Sequence, residues 1–526
     1  MKKKYVNAVI AIGLAVIMLS GCSSTNGNSN TNNSTNNSSG SSTANGASDT
    51  AAAGGGAESY EKVVYAYPSF NNIPESATLD TVEEAINEIT REKIGVEVEL
   101  LPVAISDYAQ QVTLSLQGGE QIDVFFPLDG FNNAVAAGMA TDLTDLLDEY
   151  AAESKALVGE SWLKATSKEG RIYGIPAYKP IALTPMVIYK KDITDELGID
   201  MSKVNSIYDL TEVLRRVKEA YPEMTPLVPV NPGDSGMARC MPEVDYLSDS
   251  YRSPKGVVIG SDTTVVDYYA TEGFRDMCNL TRTWYTEGLI MKDAATTTGA
   301  SAELMNASNS FCYIATYSYP EEDTAASLEA QTGGYKLGAR IIGEAYLNTS
   351  SINTVTWMVS SNSKVPESAL AFLNLTFTDE DVINLIINGI EGRDYVKNDD
   401  GTIRYPDGQD ATTVPYTAQL SCGICGNFFI MYQVEGTNPE SLEWEIEQNK
   451  NAKTSSVMGF SFDSSGVKTE YTSVANVVDQ YLPGLSCGSI DPETELPKFI
   501  QSLKDAGMDN IIAAKQEQLD NWLETR

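Results

Sequence analysis

The sequence predicts an α/β fold: a doubly wound sheet with helices packed on its faces. Three observations point there. From residue 63 onward, short β-branched or aromatic runs alternate with segments of helical periodicity. The run 122–126 is almost continuously apolar, as a parallel strand covered on both faces must be. Glycine or proline stands at most of the joints between these segments.

Taken in order, residues 63–67 read as a strand that Pro68 breaks. Asp80 and Glu83 read as a capping box for a helix with Val82, Ile86 and Ile89 on one face, and Gly95 ends it. Residues 96–100 alternate as a half-buried strand, residues 107–117 form a second helix ending at Gly118-Gly119, and residues 122–126 complete a βαβαβ unit. In such sheets ligands bind beyond the carboxyl ends of the strands, here around 67–70, 101–103 and 127–131. Further strands are expected at 172–176, 185–189, 311–316 and 354–359. Ser206 with Asp209, Pro366, and Thr378 with Asp381 read as helix starts, and residues 510–523 as a last helix. Trp284 and Tyr285, before Gly288, read as core, and Trp444 and Trp522 as packing.

The first 58 residues are different. Lys2, Lys3 and Lys4 precede an apolar run over 8–19, too short to span a bilayer of about 30 Å but long enough for a secretory signal. Leu19-Ser20-Gly21-Cys22 then resembles the lipobox of bacterial lipoproteins. That resemblance implies removal of residues 1–21 and lipid on Cys22, the new first residue. Residues 22–58 form a Ser/Asn/Gly-rich tether that cannot bury enough apolar area to order itself; as a flexible coil it would span roughly 30–35 Å.

Composition bounds the chemistry. The 526 residues include 36 Lys+Arg, 72 Asp+Glu and no histidine, for a net charge of −36. The missing histidine removes the usual general base near neutral pH, and the acidic balance argues against nucleic acid. Besides Cys22, six cysteines remain, of which Cys422 and Cys425 form one tight pair. As a zinc half-site the pair lacks partners; a local disulfide and free thiols both stay open. No metal and no cofactor are expected.

Several motifs resemble those of extracellular solute-binding proteins that feed ABC importers. They are Gly118-Gly119-Glu120-Gln121-Ile122-Asp123-Val124, Gly138-Met139-Ala140-Thr141-Asp142-Leu143, Gly170-Arg171-Ile172-Tyr173-Gly174-Ile175-Pro176, and Tyr189-Lys190-Lys191-Asp192 with Leu197-Gly198-Ile199. Toward the end, Gly389-Ile390-Glu391-Gly392-Arg393-Asp394-Tyr395, Gly459-Phe460-Ser461-Phe462-Asp463 and Gly488-Ser489-Ile490-Asp491-Pro492 resemble a lipoprotein branch with a C-terminal extension, usually linked to carbohydrate import.

The resemblance implies a two-lobe, type II periplasmic-binding-protein-like fold with the ligand cleft between the lobes. Lobe 1 is expected to comprise 59–180 and 350–395, and lobe 2 to comprise 181–349 and 396–526 with the extension. Crossings are expected near 178–181, at 346–353 and after Tyr395. It further implies a monomer on the extracellular face of the membrane, closing on its ligand and serving a separate permease. No GxxxxGK[ST] loop is present, so the ATPase would be another chain.

A sugar cleft needs rings to stack on and polar groups for hydroxyls, and 27 Tyr against 13 Phe suits that. Candidate contacts are Tyr67, Ser69, Phe70 and Asp129 at strand ends, and Tyr178 and Lys179 at the first crossing. Tyr317 and Tyr319 follow the 311–316 strand, and Asn353 and Trp357 flank the second crossing. Glu391, Arg393, Asp394 and Tyr395 form the densest polar cluster. Glu391 and Asp394 lie too close on one loop for an opposed glycosidase pair. No catalytic residues are expected. The alternatives are an oligopeptide-binding protein of the same class, or a surface glycan sensor or hydrolase.

Overall fold

The computed structural model describes residues 59–525 apart from 308, 330, 331, 333, 421 and 422. The signal, the tether, Cys22 and Cys422 lie outside the described residues.

Lobe 1 begins with β1 (Glu61–Ser69), α1 (Ser76–Ile94), β2 (Val96–Ala104), α2 (Ile105–Gly118) and β3 (Val124–Phe125). β1 pairs in parallel with β2 along its whole length and with β3 through Tyr65 and Val124. The buried Asp123 carboxylate accepts Val64 N–H at 2.8 Å and Ser363 Oγ at 2.6 Å, so this acid locks β1 to the entry of β3. α1 starts a turn earlier than the capping-box reading placed it. Glu83 therefore lies inside the helix and accepts Leu100 N–H of β2 at 2.8 Å instead. Gly95 ends the helix in the left-handed region, as expected.

After α3 (Ala152–Ala165) the expected strand at 172–176 splits. Arg171–Ile172 pairs back on Ser167–Lys168, and only β4 (Ile175–Pro176) enters the main sheet. Gly174 permits this: a Cβ there would sit 2.6 Å from the Trp357 carbonyl oxygen.

Lobe 2 contains β5 (Thr184–Lys190), α4 (Leu210–Ala220), β6 (Thr225–Leu227), α5 (Glu272–Thr286), β7 (Ser310–Tyr317) and β8 (Leu337–Ile341). Its sheet order is β8-β5-β7-β6, with β6 and β7 parallel and β5 antiparallel to both β7 and β8. On α5, Trp284 is fully buried and donates Nε1–H to Thr211 Oγ1 at 2.9 Å.

The chain then returns as β9 (Thr356–Val359), which lies antiparallel between β3 and β4. The lobe 1 sheet, β2-β1-β3-β9-β4, is thus mixed rather than purely parallel. β9 enters from the opposite direction because it comes back from lobe 2. Next come α6 (Pro366–Thr378) and α7 (Glu380–Asn388). Asp379, not Thr378, caps α7, accepting Asp381 and Val382 N–H at 3.1 and 3.0 Å. α8 (Pro439–Asn451), α9 (Lys468–Ser486), α10 (Pro492–Asp505) and α11 (Met508–Glu524) complete the chain.

Two large cores organise these elements, one per lobe. The third crossing comes later than the sequence suggested. Tyr416, Leu420, Ile424 and Phe428 all pack in the lobe 1 core, so the chain does not leave that lobe after Tyr395. It leaves after α8, beside the second crossing: Tyr346 and Leu347 pair in parallel with Lys453 and Thr454.

Candidate ligand cleft

Strand direction places the cleft. β1 and β3 end at Ser69 and Phe125; β4 ends and β9 begins at the same edge, next to the crossings. In lobe 2, β5 starts at Thr184 just after the first crossing and pairs there with Tyr317 at the end of β7. β6 is parallel to β7, so the chain after Leu227 leaves from this end too. The carboxyl ends of lobe 1 thus face the Thr184–Tyr317 end of lobe 2, where α/β sheets bind ligands.

On the lobe 1 side, Phe70 is half-buried and Asp129 is exposed in a turn closed by Gly130 N–H to Pro127 O at 2.8 Å. Tyr178 stands between Trp162 and Phe429, with ring centroids 5.4 and 5.3 Å away. Its backbone is fixed on both sides, donating to Gly426 O and accepting from Phe428 N–H, each at 2.9 Å. Gly426 has φ +39°, and a side chain there would collide with the Thr376 carbonyl, so the loop that seats Tyr178 requires glycine. Burial raises the Tyr178 phenol.

α8 braces the first crossing. The buried Asn449 donates to Lys179 O at 2.8 Å and accepts Ile181 and Ala182 N–H at 3.0 Å each. One turn earlier on the same face, Glu445 is 1% exposed and accepts Ser318 Oγ at 2.8 Å. Its second oxygen has no partner among the described residues, and burial pushes the carboxyl up to about 8.

On the lobe 2 side, Tyr317 shares a 3.0 Å hydrogen bond with Tyr313, and burial pushes Tyr317 and Tyr319 up to about 12. In the chain after β6, Arg239 donates Nη1–H to Asp234 at 2.7 Å and Nη2–H to the Tyr251 hydroxyl at 2.8 Å. Its guanidinium also lies 5.0 Å from the Tyr251 ring centroid. At the root of the cleft Asn132 of lobe 1 donates to Ser461 Oγ at 2.6 Å, and Ser461 shares a 3.1 Å hydrogen bond with Ser248 of lobe 2.

Several expected contacts turn inward. Tyr67 is fully buried with its hydroxyl on Tyr416 at 2.9 Å. Trp357 is fully buried, stacked on Tyr65 and donating to Ile424 O at 2.7 Å. Ser69 serves a local turn with Asn71, and Asn353 donates to Ala165 O at 3.2 Å. The 391–395 cluster is a self-braced loop of lobe 1. Asp394, 1% exposed, accepts Arg393, Ile390 N–H and Tyr416 N–H, while Tyr395 is buried and Glu391 pairs outward with Lys397 at 3.8 Å. These side chains are satisfied within their own lobe. Of the sequence candidates, Phe70 and Asp129 follow the ends of β1 and β3, Tyr178 and Lys179 lie at the first crossing, and Tyr317 and Tyr319 lie at the end of β7. Trp162, Phe429, Asp234, Arg239, Tyr251, Asn132 and Ser461, which neighbour these positions, were not among the candidates; the only signal for most of them is a polar, aromatic loop after a strand.

A groove of about 590 Å³ on the outer edge of lobe 1 is lined by Glu83, Asn87, Glu97 and Glu99 among others. It lies away from the strand ends, and its Glu83 and Asn87 are already bonded to β2. Cys240, Cys278, Cys312 and Cys487 are thiols, and Cys425 is buried beneath the Tyr65 hydroxyl at 3.6 Å.

Residues 75–383 match the model for bacterial extracellular solute-binding proteins. The chain belongs to that family. Residues 456–524 match a second model, described as a domain of unknown function (DUF3502). A carbohydrate ABC transporter substrate-binding protein of Streptococcus pneumoniae is 24% identical over 479 residues, covering 89% of this chain and 93% of its own. The crystal structure of the N-glycan transport solute binding protein NgtS from Streptococcus pneumoniae is 23% identical, covers 88% of this chain and 99% of its own, and gives a TM-score of 0.71. An HMO-binding, ABC-transporter-associated solute binding protein from Bifidobacterium longum infantis gives a TM-score of 0.63 at 16% identity, with 88% and 99% coverage. This solute-binding protein thus works outside the cytoplasm, binding a solute rather than turning one over.

Proposed function

We propose that this solute-binding protein captures an oligosaccharide at the cell surface and hands it to the permease of an ABC importer. The observation that carries this is the Asp234–Arg239–Tyr251 group. Arg239 and Asp234 pair with each other and stay 10% and 17% exposed, so the group keeps a narrow edge of carboxylate, guanidinium and ring in fixed orientation, the chemistry that sugar hydroxyls and C–H faces require. Tyr178, seated between Trp162 and Phe429, supplies a second aromatic surface at the lobe 1 edge. The relatives named for N-glycan and HMO binding support the same class of ligand. Lobe closure about the three crossings retains the ligand. The protein acts as a monomer, held to the membrane by lipid on Cys22, with the ATPase on a separate chain.

Calorimetry of the purified protein against a panel of glycans and peptides, with small-angle scattering, tests this. The expected result is micromolar or tighter binding of one glycan class with a decrease in radius of gyration. Binding of peptides and of no glycan overturns it. For the anchor, Cys22→Ser should release the protein into the medium, and retention on cells would refute lipidation.

A further inference from the structure

The C-terminal segment that matches the domain of unknown function does not stand apart from the cleft. α11 places Lys515, fully buried, beneath the loop 246–256 of lobe 2. Its ammonium donates to Asp249 at 2.8 Å, to Gly256 O at 3.0 Å and to Tyr246 O at 3.4 Å. The three contacts tie the start, middle and end of that loop to one point. Tyr471 of α9 donates to the other Asp249 oxygen at 2.8 Å.

The same loop needs such support. Leu247 and Ser248 are consecutive non-glycine residues with φ of +49° and +75°. Such strain persists only where the surroundings over-determine it. Ser248 Oγ is held by Ser461 Oγ at 3.1 Å and by Phe462 N–H at 3.2 Å, both from the C-terminal segment. Leu247 packs with Val457, Phe460, Phe462 and Leu519. The segment reaches lobe 1 as well: Met458 lies in the lobe 1 core, and Ser461 receives Asn132.

We infer that the segment 456–524 is a positioning element for the ligand cleft: Lys515 and Ser461 hold the loop 246–256 in the strained form that presents Tyr251 to Arg239, and Ser461 ties that loop to lobe 1. Its domain of unknown function is, in this chain, part of the binding site's frame. The ligand side of this inference rests on the proposed sugar cleft; the loop side does not.

The test uses the full chain and the variants Ser461→Ala, Lys515→Met and Lys498→Ala, the last an exposed α10 residue paired with Glu495. Hydrogen exchange without ligand is expected to rise at least tenfold across 246–256 in Ser461→Ala and Lys515→Met, and to stay unchanged in Lys498→Ala. Calorimetry with Man5GlcNAc, the glycan bound in a structure of NgtS, as probe is expected to give at least fivefold weaker binding for Ser461→Ala and less than a twofold change for Lys498→Ala. Should Lys515→Met fail to fold, Ser461→Ala alone decides. Unchanged exchange overturns the inference, and raised exchange with unchanged affinity overturns the link to the cleft. If the parent binds no glycan, the proposed ligand class fails, and the exchange result alone judges the positioning role.

Discussion

Asn449 and Lys179 are joined by a 2.8 Å hydrogen bond from the Asn449 amide to the Lys179 carbonyl, and through it α8 grips the first crossing between the lobes. The Asn449 oxygen simultaneously receives Ile181 and Ala182 N–H. One side chain thus satisfies three backbone groups at a place where no sheet can.

Asn449→Ala leaves those three groups without their partner. Each unsatisfied buried group costs about 1–3 kcal/mol, so a loss of about 3 kcal/mol in unfolding free energy is expected by urea titration. Hydrogen exchange at Ile181 and Ala182 should accelerate most. A variant within about 0.5 kcal/mol of the parent would show that the clamp contributes little.

Glu445 makes stability depend on pH in an uncommon sense. Its usual value near 4.5 is raised to about 8 by burial, partly offset by Ser318. Between these values the folded state keeps a proton that the unfolded state loses. The unfolding free energy therefore falls as pH rises from about 4.5 to about 8 and levels off above that. Glu445→Gln should remove this slope and be more stable than the parent at pH 8.5 by roughly 4 kcal/mol. Parallel denaturation curves of parent and variant across that range would refute the assignment.

Tyr67 and Tyr178 should separate cleanly. Tyr67→Phe removes a buried hydroxyl bonded to Tyr416, so stability falls by about 1 kcal/mol while glycan affinity is unchanged. Tyr178→Ala should lower affinity at least tenfold, about 1.4 kcal/mol or more of binding free energy. Calorimetry and thermal melts on both variants check the pair; an affinity loss in Tyr67→Phe would place that ring back at the ligand.

Asn87 imitates a missing strand. Its side chain accepts Val98 N–H at 2.6 Å and donates to Val98 O at 3.2 Å on the outer edge of β2, with Thr90 and Glu83 serving Val96 and Leu100. Asn87→Ala should cost about 2 kcal/mol and open an edge for self-pairing. Analytical ultracentrifugation is expected to show concentration-dependent association absent from the parent.

Local pattern carried much of the fold. Hydrophobic spacing located β1, α1, β2, α2 and β3, and Pro366 marked the first turn of α6. Helix starts were less legible. Asp80 and Glu83 satisfy the capping-box spacing, yet Glu83 is used by β2, a partner that spacing does not reveal. The antiparallel β9 was unreadable because direction depends on which lobe the chain comes from. The third crossing was misplaced for a similar reason: Tyr395 ends a polar motif, but the apolar residues after it, Tyr416 to Phe428, pack back into lobe 1. Tyr178 was legible as a residue of the first crossing, where the structure seats it between Trp162 and Phe429. Arg239 and Ser461 were not: the Arg239 partners Asp234 and Tyr251 lie in an irregular loop with no readable pattern, and Ser461 meets Asn132 from a distant part of the chain.

The position of β9 bears on how the chain matures after export. β3 has one flank open until residues 356–359 arrive to cover it, and the lobe 2 frame needs Lys515, near the end of the chain. Both halves therefore stay incomplete until residues from late in the sequence join them. A bare strand edge and unfinished cores invite aggregation over that interval. Productive folding of this protein is thus favoured where the later half of the chain is present soon after the first.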